Sequence, residues 1–146
     1  MKITHKGDYA LKAVLDLAVH YEDGLSTIQA IAQRIDAPSK FLEQVLVELK
    51  KGGFIESRRG KIGGYRLAKR PNEITLGEII RYVDGPLEPI ACINNDYVDC
   101  EDLYKCVFRP VWQSVFQSTS TIVDGITFED LAKKITAASQ APTYSI

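Results

Sequence analysis

No stretch of this chain approaches the ~20 consecutive apolar residues that a membrane-spanning helix needs. The first residues, Met1 to Asp8, have no apolar segment of the signal-peptide kind and pass directly into a helical pattern. Both absences lead to the expectation of a cytoplasmic protein without a membrane partner. Histidine occurs twice and cysteine three times, all three cysteines between positions 92 and 106. An odd count in one short segment argues against a disulfide scaffold and for ligation or redox chemistry. No Ser/His/Asp set, phosphate-binding glycine loop or paired-carboxylate pattern is present, so an enzyme is the least favoured class. Internal repeats and low-complexity stretches are also missing.

What is present is an ordinary globular composition over 146 residues, 45% apolar and 25% charged, with room for one domain and a small appendage. The net charge of −1 hides an asymmetry. Positions 50–70 hold eight bases (Lys50, Lys51, Arg58, Arg59, Lys61, Arg66, Lys69, Arg70) and one acid, Glu56, a net +7 that leaves −8 for the rest. Positions 84–102 hold six acids and no base. One region should attract a polyanion and the other should repel it.

Periodicity predicts a mainly α-helical fold with one small β-hairpin. A first helix starts near Thr4 and buries Ala10, Ala13, Val14, Leu17, Ala18 and Tyr21, ending at Asp23-Gly24. Ser26 to Gln29 reads as a capping box opening a short helix with Ile28, Ile31 and Ala32 inward. After a turn at Asp36-Ala37-Pro38, with the proline in a helix's first turn, a third helix buries Leu42, Val45, Leu46 and Leu49 and stops at Gly52-Gly53. Residues 54–57 and 65–68 are strand candidates joined by a basic, glycine-rich tip. Thr75 to Glu78 is a second capping box, opening a helix with Leu76, Ile79, Ile80 and Val83 inward. An acidic cysteine loop follows, then an apolar helix over about 102–122 kinked at Pro110. Thr127 to Asp130 opens a last helix, and Gln140 to Ile146 reads as a loose tail.

Two short helices, a tight turn and a basic hairpin are the parts of a winged helix-turn-helix, whose second helix enters the DNA major groove. Residues 1–84 form this expected DNA-binding unit, 85–106 the cysteine loop, and 107–146 a long dimerisation helix with a C-terminal helix and tail. The outward residues of the recognition helix are Ser39, Lys40, Glu43, Gln44 and Lys50. Gln44 can make two hydrogen bonds to an adenine edge, and Glu43 can accept from cytosine. Arg58, Arg59 and Lys61 belong to the wing, where arginines can meet phosphates or a narrow minor groove. The bland alternative for any one of these residues is a solvated surface; it is their combination that favours DNA.

Gly7-Asp8-Tyr9-Ala10, Phe41-Leu42-Glu43-Gln44, Arg59-Gly60 with Gly63-Gly64-Tyr65, and Thr75-Leu76-Gly77-Glu78-Ile79-Ile80 resemble the bacterial IscR/NsrR regulators, the Rrf-two superfamily, over about residues 1–134. The resemblance implies a homodimer joined by the long helix and binding to pseudo-palindromic operators in double-stranded DNA. The wing departs from it, since Lys61 and Ile62 stand where the family often has Pro and Gly.

The resemblance also bears on Cys92, Cys100 and Cys106. Cluster-bearing members usually leave five residues in each gap, whereas here the gaps are seven and five. Two more loop residues cost well under about 1 kcal/mol of closure entropy. Three thiolates in one loop can hold an iron–sulfur cluster, 2Fe–2S or 4Fe–4S, with a fourth ligand from elsewhere. Zinc lacks a Cys-x-x-Cys pair or a nearby histidine. Unliganded thiols, a thiol-oxidation switch, control by a docked partner protein, and a cluster carrier stay open. In one branch of the family the fourth ligand is a His three residues after the third cysteine; Arg109 holds that position here and cannot ligate. In the nitric-oxide-sensing branch it is an Asp of the first helix, supplied by the partner subunit, and Asp8 matches. The alternative is that Asp8 only favours the positive end of its helix. His5 is a distant candidate, and His20 reads as a helix-end surface residue.

Overall fold

Thr4 opens the chain's first helix by accepting the Gly7 N–H on its hydroxyl at 3.0 Å, in a computed structural model that describes residues 1–140. The helix, α1 (His5–Val19), buries Ala10, Ala13, Val14, Leu17 and Ala18 as their spacing predicts. Tyr21 departs from that stripe. The α-helix ends at Val19, residues 21–23 tighten into a 3₁₀ turn, and the Tyr21 ring is left at the surface.

The second helix, α2 (Ile28–Ile35), is capped by Thr27, whose hydroxyl accepts from Ala30 N–H at 3.1 Å. The expected box between Ser26 and Gln29 does not form, because Ser26 is engaged elsewhere. Its backbone exchanges two hydrogen bonds with Tyr65, at 2.9 and 2.7 Å, and its buried hydroxyl accepts from Arg34 at 2.9 Å. Arg34 also grips Asp16 through Nε and Nη2, both at 2.8 Å, so one guanidinium ties α2 to α1. Pro38 sits at the N-cap of α3 (Ser39–Lys51), one residue outside the first turn, and its carbonyl accepts from Leu42 N–H at 2.9 Å. Leu42, Val45, Leu46 and Leu49 are all buried, each worth about 1.5–3 kcal/mol of transfer free energy.

Strands β1 (Ile55–Arg58) and β2 (Gly64–Leu67) pair antiparallel with Ile55 opposite Leu67 and Ser57 opposite Tyr65. Each lies one residue nearer the turn than expected. Phe54 and Ala68 close the base of the hairpin with a single hydrogen bond, Ala68 N–H to Phe54 O at 2.9 Å. Ile55 and Leu67 point into the core while Glu56 and Arg66 pair outside it.

Thr75 and Glu78 form the expected capping box of α4 (Leu76–Asp84), Glu78 N–H reaching the Thr75 hydroxyl at 3.2 Å and Thr75 N–H the carboxylate at 2.8 Å. The next helix is shorter than the pattern implied. It is α5 (Arg109–Asp124), with Pro110 in its first turn and no kink. Residues 102–106 turn instead, Lys105 and Cys106 both donating to the Asp102 carbonyl at 2.9 Å. A proline ring has no N–H to give and collides with the carbonyl four residues back, so a helix starts at it rather than running through it.

Helix α6 (Phe128–Gln140) is capped by Thr127 in exchange with Asp130 and packs back on α1. Phe128 is 1% exposed inside the main core, and Phe128 N–H to Ile74 O and Leu76 N–H to Ile126 O fasten this return. Gln140 therefore ends a helix; the rest of the expected tail, 141–146, lies outside the described residues. Among the described residues the architecture is six α-helices and one two-stranded hairpin, a winged helix-turn-helix followed by a long helix, and no helix is long and apolar enough to cross a membrane.

Candidate nucleic-acid interface and cysteine loop

Burying the Leu42, Val45, Leu46 and Leu49 stripe turns the opposite face of α3 outward. Ser39, Lys40, Glu43, Gln44 and Lys50 are all exposed on that helix. Val47 is exposed with them and was missed by the sequence reading, which assigns apolar residues to cores. Its place three after Gln44 and three before Lys50 was the available signal. A valine there can meet a thymine methyl.

A cleft of about 380 Å³ separates α3 from the hairpin, with Thr27 and Gln29 at the start of α2 on its third side. Lys50 crosses it, donating from Nζ to Ser57 Oγ at 2.6 Å, so the recognition helix is fastened to the wing. Arg58, Arg59 and Lys61 are exposed and have no ion-pair partner among the described residues, whereas Arg66 is neutralised by Glu56. Free cations beside an outward polar helix make a surface suited to phosphates and base edges.

The cysteines lie on the opposite stretch of chain, between α4 and α5. Cys92 is half-buried in a 3₁₀ turn (Ala91–Ile93), whose Ile93 is buried. Cys100 is exposed, and Cys106 is half-buried three residues before α5. All three are free thiols. Arg109, which cannot ligate, donates instead from Nε to the Cys92 carbonyl at 3.0 Å, tying the first cysteine's turn to the start of α5. The three thiols are not gathered, and among the described residues no group of three His, Cys, Asp or Glu side chains is placed to hold a metal. Asp8 lies in the first turn of α1, where its carboxylate meets Lys12 Nζ at 2.7 Å and holds that ammonium above its ordinary range. His5 is exposed, and His20 ends α1 with Nδ1 2.8 Å from Asp23.

Helix α5 buries only Val123, with Phe116 packed beside it on Ile80 and Leu87. Phe108, Trp112 and Val115 remain 64%, 37% and 44% exposed. At its far end Asp124 is held by Arg81 of α4 through two hydrogen bonds at 2.7 and 2.8 Å.

Residues 3–134 match the family model described as Rrf2, iron-dependent transcriptional regulator. The chain belongs to the Rrf2 family. Among curated relatives, the IscR transcriptional regulator of Aliivibrio salmonicida (strain LFI1238) is 34% identical over 131 residues, 90% of this chain and 77% of that one. Among solved structures, CymR of B. subtilis, titled the global cysteine regulator, superposes with a TM-score of 0.78 at 33% identity, over 92% of this chain and 98% of the other. T. potens IscR gives 0.76 at 33% identity, over 99% and 95%. This Rrf2 chain is thus similar throughout to winged-helix transcription regulators, and it is a regulator, not an enzyme. The resemblance read from the glycine, recognition-helix and capping motifs was correct.

Proposed function

We propose that this Rrf2 chain is a homodimeric, sequence-specific DNA-binding regulator whose hold on a pseudo-palindromic operator depends on the state of the loop carrying Cys92, Cys100 and Cys106. The observation that supports it most is the cleft in which Val47 and Lys50 of α3 face Arg58 and Arg59 of the wing, beside a helix whose other outward residues are polar. Gln44 and Glu43 are the base readers, Ser39, Lys40 and Lys50 approach the backbone, and Arg58, Arg59 and Lys61 reach phosphate or minor groove. The exposed apolar residues of α5 are the surface for a second copy. Retardation of duplex DNA at two salt concentrations tests the reading, since Lys and Arg contacts release counterions and must weaken steeply with salt.

The donor chemistry of the loop fits an iron–sulfur cluster, because thiolates are its ligands and all three thiols are free on one segment. Cys92, Cys100 and Cys106 would hold it, with the partner subunit's Asp8 as the fourth ligand. When bound, a cluster supplies iron sites that respond to oxidants or nitric oxide. The chain's own parts then carry the consequence. Arg109 holds the Cys92 turn on α5, and Arg81 with Asp124 holds α5 on α4, so gathering the thiols bears on the helices that set the distance between two recognition helices. Operator affinity shifts only by the difference in the two states' fit to the loop's ligand.

A second reading, a cluster-free regulator answering to thiol oxidation or a partner protein, is favoured by the separation of the three thiols. Iron and sulfide counts in anaerobically prepared protein separate the two.

A further inference from the structure

The wing carries one side chain that turn chemistry does not account for. Gly63 N–H donates to the Gly60 carbonyl at 3.0 Å, closing a β-turn with Lys61 and Ile62 as its central residues. Gly60 has φ +115°, and a Cβ at Gly63 would collide with the carbonyl oxygens of Arg58 and Gly60, so the glycines leave these two side chains to form the tip. Turn positions favour Gly, Pro, Asn, Asp and Ser, whereas β-branched isoleucine is commonest in strands. Ile62 is nonetheless 92% exposed, and its neighbours Arg58, Arg59 and Lys61 have no ion-pair partner among the described residues. A break in local sequence rules on an exposed, positively charged loop marks a contact rather than a fold requirement.

We propose that Ile62 is an apolar minor-groove contact, pressed by Arg59 and Lys61 against a flexible base step and partly unstacking it. Its occupant is double-stranded DNA: three free cations select a polyanion, and the minor groove, about 6 Å wide, admits a two-residue tip while α3 takes the major groove. Isoleucine is among the side chains that wedge base steps and bend the duplex, at least cost where a pyrimidine precedes a purine. This inference rests on the DNA-binding reading and adds a specificity determinant to it.

The test uses the full-length protein and a duplex that the wild type selects from a randomised pool. Affinity is measured at several salt concentrations, and bending by energy transfer between the duplex ends. Ile62→Asn keeps a residue the turn favours, and it should weaken binding about tenfold, the scale of exposing one buried aliphatic side chain. The bend should shrink and the salt slope stay the same, since no charge is removed. Lys61→Ala should keep the bend and lower the salt slope by about one. Wild-type affinity and bend in Ile62→Asn would overturn the inference, as would a weakened complex that keeps the full bend. A lower salt slope in Ile62→Asn would mean that the wing's phosphate contacts were lost, and would overturn it too. If the wild type retards no duplex in a salt-dependent way, the DNA-binding reading falls and takes the inference with it.

Discussion

Arg109 Nε donates to the carbonyl oxygen of Cys92 at 3.0 Å, across 17 positions of chain. The bond is partly buried and charge-assisted, a class worth about 1.5–3 kcal/mol. Arg109→Ala should therefore free the Cys92 turn from α5. Alkylation of Cys92 is expected to accelerate about tenfold while that of the already exposed Cys100 stays constant. Equal rates in variant and wild type would show that Arg109 does not restrain the turn.

Gln44→Ala should relax sequence preference, losing about 1–3 kcal/mol on the selected operator and little on random duplex. Arg59→Ala, by contrast, should weaken both and reduce the salt slope. Competition binding with matched and scrambled duplexes distinguishes them, and a uniform loss for Gln44→Ala would show that this side chain does not read bases.

Trp112→Asp should shift the protein toward monomer. Phe108 at the start of α5 and Trp112 and Val115 along it stand exposed, and the helix fully buries only Val123. A charge placed among them has no partner and must be desolvated if the face is covered. Sedimentation at micromolar concentration should show a dimer for the wild type and a lighter species for the variant. A wild-type monomer would remove α5 as the interface.

The Arg81–Asp124 pair gives stability a small acid limb. The Arg81 hydrogen bonds hold the Asp124 carboxyl below its ordinary range. Its folded pKa is thus lower than its unfolded value of about 3.9, so its contribution is complete above about pH 4 and is lost as pH falls through the folded pKa. Both side chains are more than a third exposed, so solvent screening keeps the effect to about 0.5 kcal/mol. Denaturant midpoints at pH 7 and pH 3 should differ less for Asp124→Asn than for wild type; an identical difference would mean that the pair does not contribute.

The buried stripe of α3 and the Thr75–Glu78 box were legible in sequence because each depends only on spacing within a few residues. Ser26 misled because two sites compete for it: its hydroxyl suits a cap, but Arg34 and the Tyr65 backbone take it, and Thr27 caps instead. The start of α5 was open to local reasoning, since Pro110 forbids a through-running helix, yet the apolar residues before it imitate one. Phe128 re-entering the core depends on the path of the chain after α5, which no local pattern displays. Val47 escapes local reasoning because apolar residues are read as core, and Ile62 stands out in the sequence only as a departure in the wing; the structure shows both at the surface.

Regulation through a cluster is tested most directly by an absorption spectrum of anaerobically prepared protein with iron and acid-labile sulfide counts, for the wild type and for Cys92→Ala, Cys100→Ala, Cys106→Ala and Asp8→Ala. The expected result is a coloured wild type containing iron and sulfide, and loss of colour with each cysteine change. Asp8→Ala should retain part of the cluster in a more labile form, because water or an added thiol can fill one iron site. A wild type reconstituted without oxygen that binds no iron would contradict the cluster and leave the thiol-responsive regulator in its place.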